Sequence, residues 1–432
     1  MRLFGRKKEI VEQAAPEVRP QLPQGPEVGP LGMRAMADHR NYLLSLVEPL
    51  PPFGMLLLDA LGLTLCEDIT APYPLPRATI ASAQGYAVRS EDLDGASHDN
   101  PTRLDIVLDP GLDPLQPGQA VVIDEHQVLP EGADAVLPAA FAGAGERGLH
   151  AWEPVGPSEY VREAGSDVDY GQEIAHFGQV LEPRLIALLA GNGIDKVIAR
   201  PRPRIVVVST GKDLVEPGQQ LPDYRHIHDA NGYMLAALAR GEGCQVWRIG
   251  VVSQDPDEVR ETISDQLIRA DLIVCTGGFR EGDGDLLSKV LPSLGAVDFA
   301  EVAMQPGRTQ GFALIGEDKV PMVMLPGDPV GAYVSYHAFV RPLIRKLMGM
   351  EQLVQQPVRA ITRSVIRSVP GIFEFARASL AQEGHTRFVE IQPGRHEANL
   401  SDLSHSNALV LLDEGTEVID PGAQVWCWPL EA

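Results

Sequence analysis

Apolar residues in the middle of the chain are grouped in short runs, each ending at small, polar or glycine residues. Residues 205–208, 272–275 and 322–325 are the clearest of these. A run of this length bounded by turn signals reads as a strand buried on both faces. Between the runs the spacing changes to a helical period, predicting helices over 231–240 and 257–269, one opening at Asp285, and one over 330–347. A further strand is expected at 245–251. Alternation of this kind predicts a parallel sheet with helices on both faces.

The flanking segments have other textures. Residues 9–32 hold Pro16, Pro20, Pro23, Pro26 and Pro30 and little that could form a core, which predicts a disordered tail. Apolar positions at helical spacing predict helices over 36–47, 55–65 and 183–190, the first two packed together. From 69 to 160 short apolar stretches, among them 104–108, 119–123 and 133–137, alternate with Pro and Gly and predict a small β domain. Residues 351–432 return to that texture at 386–391, 408–412 and 424–428, predicting a C-terminal barrel or sandwich.

At 432 residues the chain is long enough for several cores. Its 36 basic and 59 acidic residues give a net charge of −23, which argues against a nucleic-acid or anionic-membrane surface. An anionic ligand must then be held by local donors. Cys66, Cys244, Cys275 and Cys427 lack the paired spacing of a zinc or redox site and read as buried thiols of a cytoplasmic protein. No apolar stretch is long enough for a signal or a membrane span.

The candidate chemistry sits where the runs stop. Ser209, Thr210, Gly211, Lys212 and Asp213 follow the first; Thr276, Gly277, Gly278, Arg280 and, at the next helix start, Asp285 follow the second. Pro326, Gly327, Asp328 and Pro329 follow the third. In a parallel α/β sheet such turns gather outside the carboxyl ends of the strands, where ligands bind. Glycines admit close backbone approach, and amide N–H groups at helix starts favour an anion such as a phosphate. Asp213 and Asp285 beside a bound diphosphate would suffice for Mg2+, though for Asp285 a helix cap is an equal reading. Ser209 to Lys212 lacks the glycine spacing of a P-loop, and Gly282-Asp283-Gly284 follows a loop where a dinucleotide fingerprint would follow a strand.

As an ordered set, the motifs resemble those of the molybdopterin molybdenumtransferases, the MoeA family that includes the gephyrin E domain. They are Leu75-Pro76, Gly85-Tyr86-Ala87-Val88, Pro130-Glu131-Gly132-Ala133-Asp134-Ala135-Val136, Arg162 to Gly165 with Asp167, Ser209-Thr210-Gly211, Asp229 with Asn231, Thr276-Gly277-Gly278, Pro306-Gly307 and Leu325-Pro326-Gly327-Asp328-Pro329. The resemblance runs from about Met36 to the C-terminus. It implies an α/β multidomain protein: a tail at 1–33, a helical linker domain at 34–70 and 161–200, and an inserted β domain at 71–160. A MogA-like parallel-sheet domain that binds molybdopterin follows at 201–348, and a C-terminal β-barrel-like domain at 349–432.

The activity implied is insertion of molybdate into adenylylated molybdopterin with Mg2+ and release of AMP. Asp213, Asp285 and Asp167 would be catalytic, and Gln84, Arg308 and the three turns would bind the pterin substrate. The resemblance also implies a homodimer in which the β domain of one subunit covers the α/β site of the other. Other cofactor-biosynthesis proteins or a molybdoenzyme would be further partners. Several positions depart from the family pattern. Gln84 and Gln254 stand where the family has acids, Lys212-Asp213 replaces Asp-Glu, Arg280 falls in a loop that is usually Val-Ser, Gly331 replaces Ser, and Arg308 replaces Lys. Glutamine can neither act as a general base nor bind magnesium as an anion. A non-catalytic paralogue that binds or delivers the pterin is therefore the alternative reading.

Overall fold

The apolar runs lie side by side in a six-stranded sheet of order Gln245–Val252, Arg204–Thr210, Leu272–Thr276, Val320–Leu325, Thr309–Ile315, Gly295–Glu301. The first four strands are parallel; Thr309–Ile315 runs antiparallel to both of its neighbours, so Gly295–Glu301 points the same way as the first four. The sheet is thus mixed where the alternation predicts parallel strands alone. Its cause is local, since only residues 316–319 separate Ile315 from Val320 and so short a connection can make a hairpin but no parallel crossover.

Alternate side chains of the parallel strands feed two cores. Ile205, Val207, Leu272, Val274, Val323 and Leu325 pack with Leu235, Ala236, Phe339, Leu343 and Ile344 on one face. On the other, Val206, Val208, Ile273, Cys275, Met322 and Met324 pack with Val259, Ile263, Leu287 and Val290. Burial on both faces is why these strands read as unbroken apolar runs. Helix Pro329–Ser335 passes through one π-type turn, Tyr336–Val340, into helix Arg341–Leu347, close to the single helix expected over 330–347.

In this computed structural model residues 21–108, 113–145, 148–252, 255–277, 286–392 and 399–430 are described, and they fall into two units, Pro52–Arg200 and Met1–Pro51 with Pro201–Ala432. In the larger unit the C-terminal segment is a closed five-stranded barrel. Phe373–Glu383, Thr386–Ile391, Val358–Thr362, Gln424–Pro429 and Ala408–Leu412 pair in that order, and the last pairs back to the first. Helix Met36–Ser45 also belongs to this unit, with Met36, Tyr42 and Leu43 in the core beside Phe339 and Leu343.

Two expectations are corrected. Of the tail expected to be disordered, residues 1–20 lie outside the described residues, but 21–33 have defined places. Met33 is buried, Leu22 packs on the core, and the Tyr42 hydroxyl donates to the Pro23 carbonyl at 2.9 Å. Two apolar anchors fix a segment that its prolines alone mark as unstructured. The helix expected over 55–65 is instead a strand, Phe53–Leu56, followed by turns. Its backbone pairs antiparallel with Lys196–Ala199, and the segment turns at Gly62 at a φ of +77°. Strand pairing with a distant segment overrides a short helical period.

The unit Pro52–Arg200 carries a six-stranded sheet of order Ala135–Pro138, Gly85–Val88, Gln119–Ile123, Thr102–Val107, Gly148–Ala151, Ala142–Gly145. Helix Pro183–Gly191 is the one α-helix among its described residues. No helix among the described residues of the chain is long and apolar enough to cross a membrane. Cys244, Cys275 and Cys427 are buried, Cys66 is half-buried, and all four are free.

Candidate functional site

Three parallel strands end level because Ser209 pairs with Thr276 and Thr276 with Leu325. From Arg204–Thr210 the chain crosses outward to Gln245–Val252, then returns past it to Leu272–Thr276. The crossovers therefore diverge between the 204–210 and 272–276 strands, the place where an open α/β sheet leaves a crevice. A cleft of about 800 Å³ opens there. The structure brings Thr210, Gly211 and Asp213, Thr276 and Gly277, Arg308, and Pro326, Gly327, Asp328 and Pro329 onto its wall, as the turns predict. Ser209 is fully buried beneath it and does not line it.

Side chains brace the turns against one another. Asn231 Nδ2 donates to Thr276 Oγ1 at 2.9 Å and to the Gly327 carbonyl at 2.8 Å. Thr276 Oγ1 donates to the Pro326 carbonyl at 3.0 Å, and Thr210 Oγ1 to the Thr276 carbonyl at 3.3 Å. Gly277 has a φ of +81° and donates its amide to the Leu325 carbonyl at 3.2 Å. That amide is thus engaged within the protein, whereas the sequence places it among the anion donors. What Gly277 supplies is a left-handed backbone without a side chain.

The cleft carboxylates are not equivalent. Asp328 caps helix Pro329–Ser335, accepting from the Gly331 amide at 2.6 Å. Asp229, whose side chain is 1% exposed, accepts from the Gly232 amide at 2.9 Å and pairs with Arg248 Nη1 at 3.3 Å. Both helix starts at the cleft are therefore already occupied by an acid, which offsets their attraction for a ligand anion. Asp213 is half-buried and makes no ion pair among the described residues, so it is the carboxylate left to face a ligand. Lys212 is exposed at the same turn, and Arg308 enters from the other side, held by Glu301 at 2.6 Å.

Behind this wall Arg248 forms a compact network. It meets Glu216 at 2.5 and 2.9 Å, and its guanidinium lies 4.2 Å from the Tyr233 ring centroid. The Arg248 guanidinium holds the Glu216 carboxyl below the usual carboxylate range, helped by the Val251 amide. Glu216 follows the short pair Leu214–Val215 with Ile227–His228, so the network fixes the flap that carries Asp213.

Gly278, Arg280, Asp285 and Gln254 lie outside the described residues. Asp167 and Gln84 belong to the unit Pro52–Arg200. There Asp167 pairs with Arg162, and Gln84 Nε2 donates to Asp124 Oδ1 at 3.2 Å, so an acid stands beside the amide. His228 and Thr309 line the cleft without having been singled out in the sequence, and Asp229, Asn231 and Gly307 stood there only as motif residues, not as lining residues. For Asp229 and Asn231 a signal existed, since a polar pair at the start of a predicted helix in a βα unit belongs to the ligand rim. For His228 none did, because two-residue strands leave no period.

Comparison with known proteins agrees with this geometry. Residues 34–193 match the family described as MoeA N-terminal region (domain I and II), and residues 206–346 the family described as probable molybdopterin binding domain. The chain is 32% identical over 415 residues to molybdopterin molybdenumtransferase 1 of Mycobacterium tuberculosis, covering 90% of this chain and 97% of that relative. It is 31% identical over 409 residues to molybdopterin molybdenumtransferase 2 of the same organism, covering 92% and 100%. A crystal structure of a molybdopterin biosynthesis MoeA protein from Pyrococcus horikoshii superposes with a TM-score of 0.79 at 26% identity, covering 93% of this chain and all of that one.

Proposed function

The chain belongs to the molybdopterin molybdenumtransferase family, and from that premise we propose that it acts in molybdenum cofactor biosynthesis, inserting molybdate into adenylylated molybdopterin with release of AMP. The observation that carries this reading is the convergence of the 210–213, 276–277 and 326–329 turns on one cleft at the strand ends. Lys212 and Arg308 supply the positive charge that an anionic substrate needs in a chain of net charge −23. The non-catalytic alternative is less favoured, because the relatives that align over almost the whole chain carry the transferase name.

Magnesium fits the donor set. No cluster of three or more His, Cys, Asp or Glu side chains suited to a metal exists among the described residues, and Asp328 and Asp229 are already hydrogen-bonded. Mg2+ commonly takes one or two carboxylates, substrate phosphate oxygens and waters, and Asp213 would hold it in that way. Bound there it would neutralise charge on the phosphates. Lys212 and Arg308 would orient the anion, and Gly277 and Gly327 would let the substrate lie against backbone. Asp285, Gly278, Arg280, Asp167 and Gln84 remain candidates of the same reading, as does a homodimer.

The test is direct. Purified protein given adenylylated molybdopterin, molybdate and Mg2+ is expected to release AMP and form molybdenum cofactor. No AMP, under conditions where the Mycobacterium tuberculosis relative releases it, refutes turnover, and sedimentation as a monomer refutes the dimer.

A further inference from the structure

We propose that Asn231 is a positioning residue that sets the width of the cleft, by holding the 276–277 and 326–327 turns at a fixed separation through its single amide group. This rests on the reading of the cleft as the pterin site. Two of the cleft's edges come from neighbouring strands, whose backbone pairing ends with the Gly277 amide on the Leu325 carbonyl. Beyond those residues the turns are free to splay unless something ties them.

Asn231 provides the tie. A primary amide presents two N–H donors in one plane, and here one goes to Thr276 Oγ1 at 2.9 Å and the other to the Gly327 carbonyl at 2.8 Å. Thr276 Oγ1 accepts from Asn231 and donates to the Pro326 carbonyl at 3.0 Å, closing a ring of bonds across both turns. Asn231 is 7% exposed and Thr276 2%, so water competes little for these groups.

No other side chain of this size repeats the pattern. Aspartate has the same shape but cannot donate, and its charge would oppose the Gly327 carbonyl. Serine or threonine has one donor, and glutamine is longer by a methylene. The brace is itself located: Asn231 opens helix Asn231–Gly241, and Asp229 fixes that start through the Gly232 amide while pairing with Arg248. The helix thus transmits the position of the Arg248 network to the rim of the cleft.

The experiment compares Asn231→Ala, Asn231→Asp, Thr276→Val and Thr276→Ser with the unmodified protein. Molybdopterin affinity is read by calorimetry, KM and kcat by AMP release, and amide exchange is followed by mass spectrometry. Asn231→Ala, Asn231→Asp and Thr276→Val are expected to raise Kd and KM about tenfold or more, with kcat changed much less. Thr276→Ser, which keeps the hydroxyl, is expected to recover most of the affinity that Thr276→Val loses. The double variant Asn231→Ala with Thr276→Val is expected to lose no more than either single change, since both break one ring of bonds.

Exchange at the Thr276, Gly277 and Gly327 amides is expected to quicken in Asn231→Ala without ligand. Unchanged affinity in Asn231→Ala, or losses that simply add in the double variant, overturn the proposal. If the unmodified protein binds no molybdopterin, the proposed function fails on its own, and the brace is then judged by the exchange data: unaltered exchange in a variant of native melting temperature refutes it. Should Asn231→Ala not fold, the isosteric Asn231→Asp and Thr276→Val give the same readout.

Discussion

Gly277 stands so close to Thr210 that a β-carbon on it would lie 2.3 Å from the Thr210 carbonyl oxygen, and its φ of +81° is one that side chains rarely adopt. Alanine there costs roughly 1–2 kcal/mol from the left-handed conformation alone, and Thr210 must move as well. Gly277→Ala is expected to lower the melting temperature and weaken molybdopterin binding at least tenfold. Gly327 differs: a β-carbon on it meets only the Gly277 α-carbon, at 3.8 Å. Gly327→Ala is expected to fold normally and lose affinity, if the substrate lies against that backbone. Calorimetry on both variants checks the pair, and full affinity in Gly277→Ala refutes the backbone requirement.

Asp213 separates chemistry from stability. It is half-buried, lines the cleft and has no ion pair among the described residues, so none of those residues loses a charged partner when it is replaced. Asp213→Asn is expected to keep the melting temperature within about a degree while the Mg2+ concentration for half-maximal AMP release rises severalfold. A titration with Mg2+ decides it. An unshifted midpoint would assign the ion to other donors.

The strands at Leu272–Thr276 and Val320–Leu325 were legible because both of their faces are buried, which leaves an apolar run bounded by glycine. Gly295–Glu301 was not, since it lies at the side of the sheet, mixes Asp298 and Glu301 with apolar residues, and shows no run. At the site, the glycine turns were legible as backbone features. The brace that Asn231 makes was not, because a hydrogen bond between residues 45 or 96 positions apart leaves no local trace, whereas the Asp229 contact with the Gly232 amide is local to the helix start. The same holds for Gly277, whose amide the sequence offers to a ligand and the structure gives to Leu325.

Acid should weaken the larger unit through two histidines. His39 packs edge-on against Phe339, and His337 against Tyr333 and Tyr336, and neither ring nitrogen of either has a hydrogen-bond partner among the described residues. Burial lowers His39 to about 4 and His337 to about 3, with Arg34 adding to the first and Arg341 and Arg345 to the second. Each folded value lies below the unfolded one, near 6.5. The neutral form is therefore favoured in the fold, and its stability is complete above pH 6.5 and falls as pH drops toward the folded values. The slope is at most about 1.4 kcal/mol per pH unit for each histidine. Urea unfolding between pH 7 and pH 5 should show this decline, and His337→Phe should flatten it. A decline unchanged by that substitution would place the acid sensitivity elsewhere.

The Arg248 network offers a second pH window, which distinguishes it from the histidines. Glu216 is held below the usual carboxylate range, chiefly by its bond to Arg248 and also by the Val251 amide, against a smaller opposing effect of burial. Its contribution is present above the unfolded carboxylate value and is lost only as pH falls below it, well under the histidine window. The side chains of Glu216 and Arg248 are 25% and 18% exposed, so the pair contributes on the order of 1 kcal/mol after screening. Glu216→Gln keeps the shape and an acceptor for Val251, but it leaves Arg248 with Asp229 as its charged partner. The flap bearing Asp213 loses its anchor, while the sheet beneath it is untouched. Glu216→Gln is therefore expected to raise the KM for adenylylated molybdopterin a fewfold and to leave the pH 5–7 decline in stability as it was. A flattened decline would mean that Glu216, and not the buried histidines, governs acid sensitivity; an unchanged KM would mean that the flap is held without the ion pair.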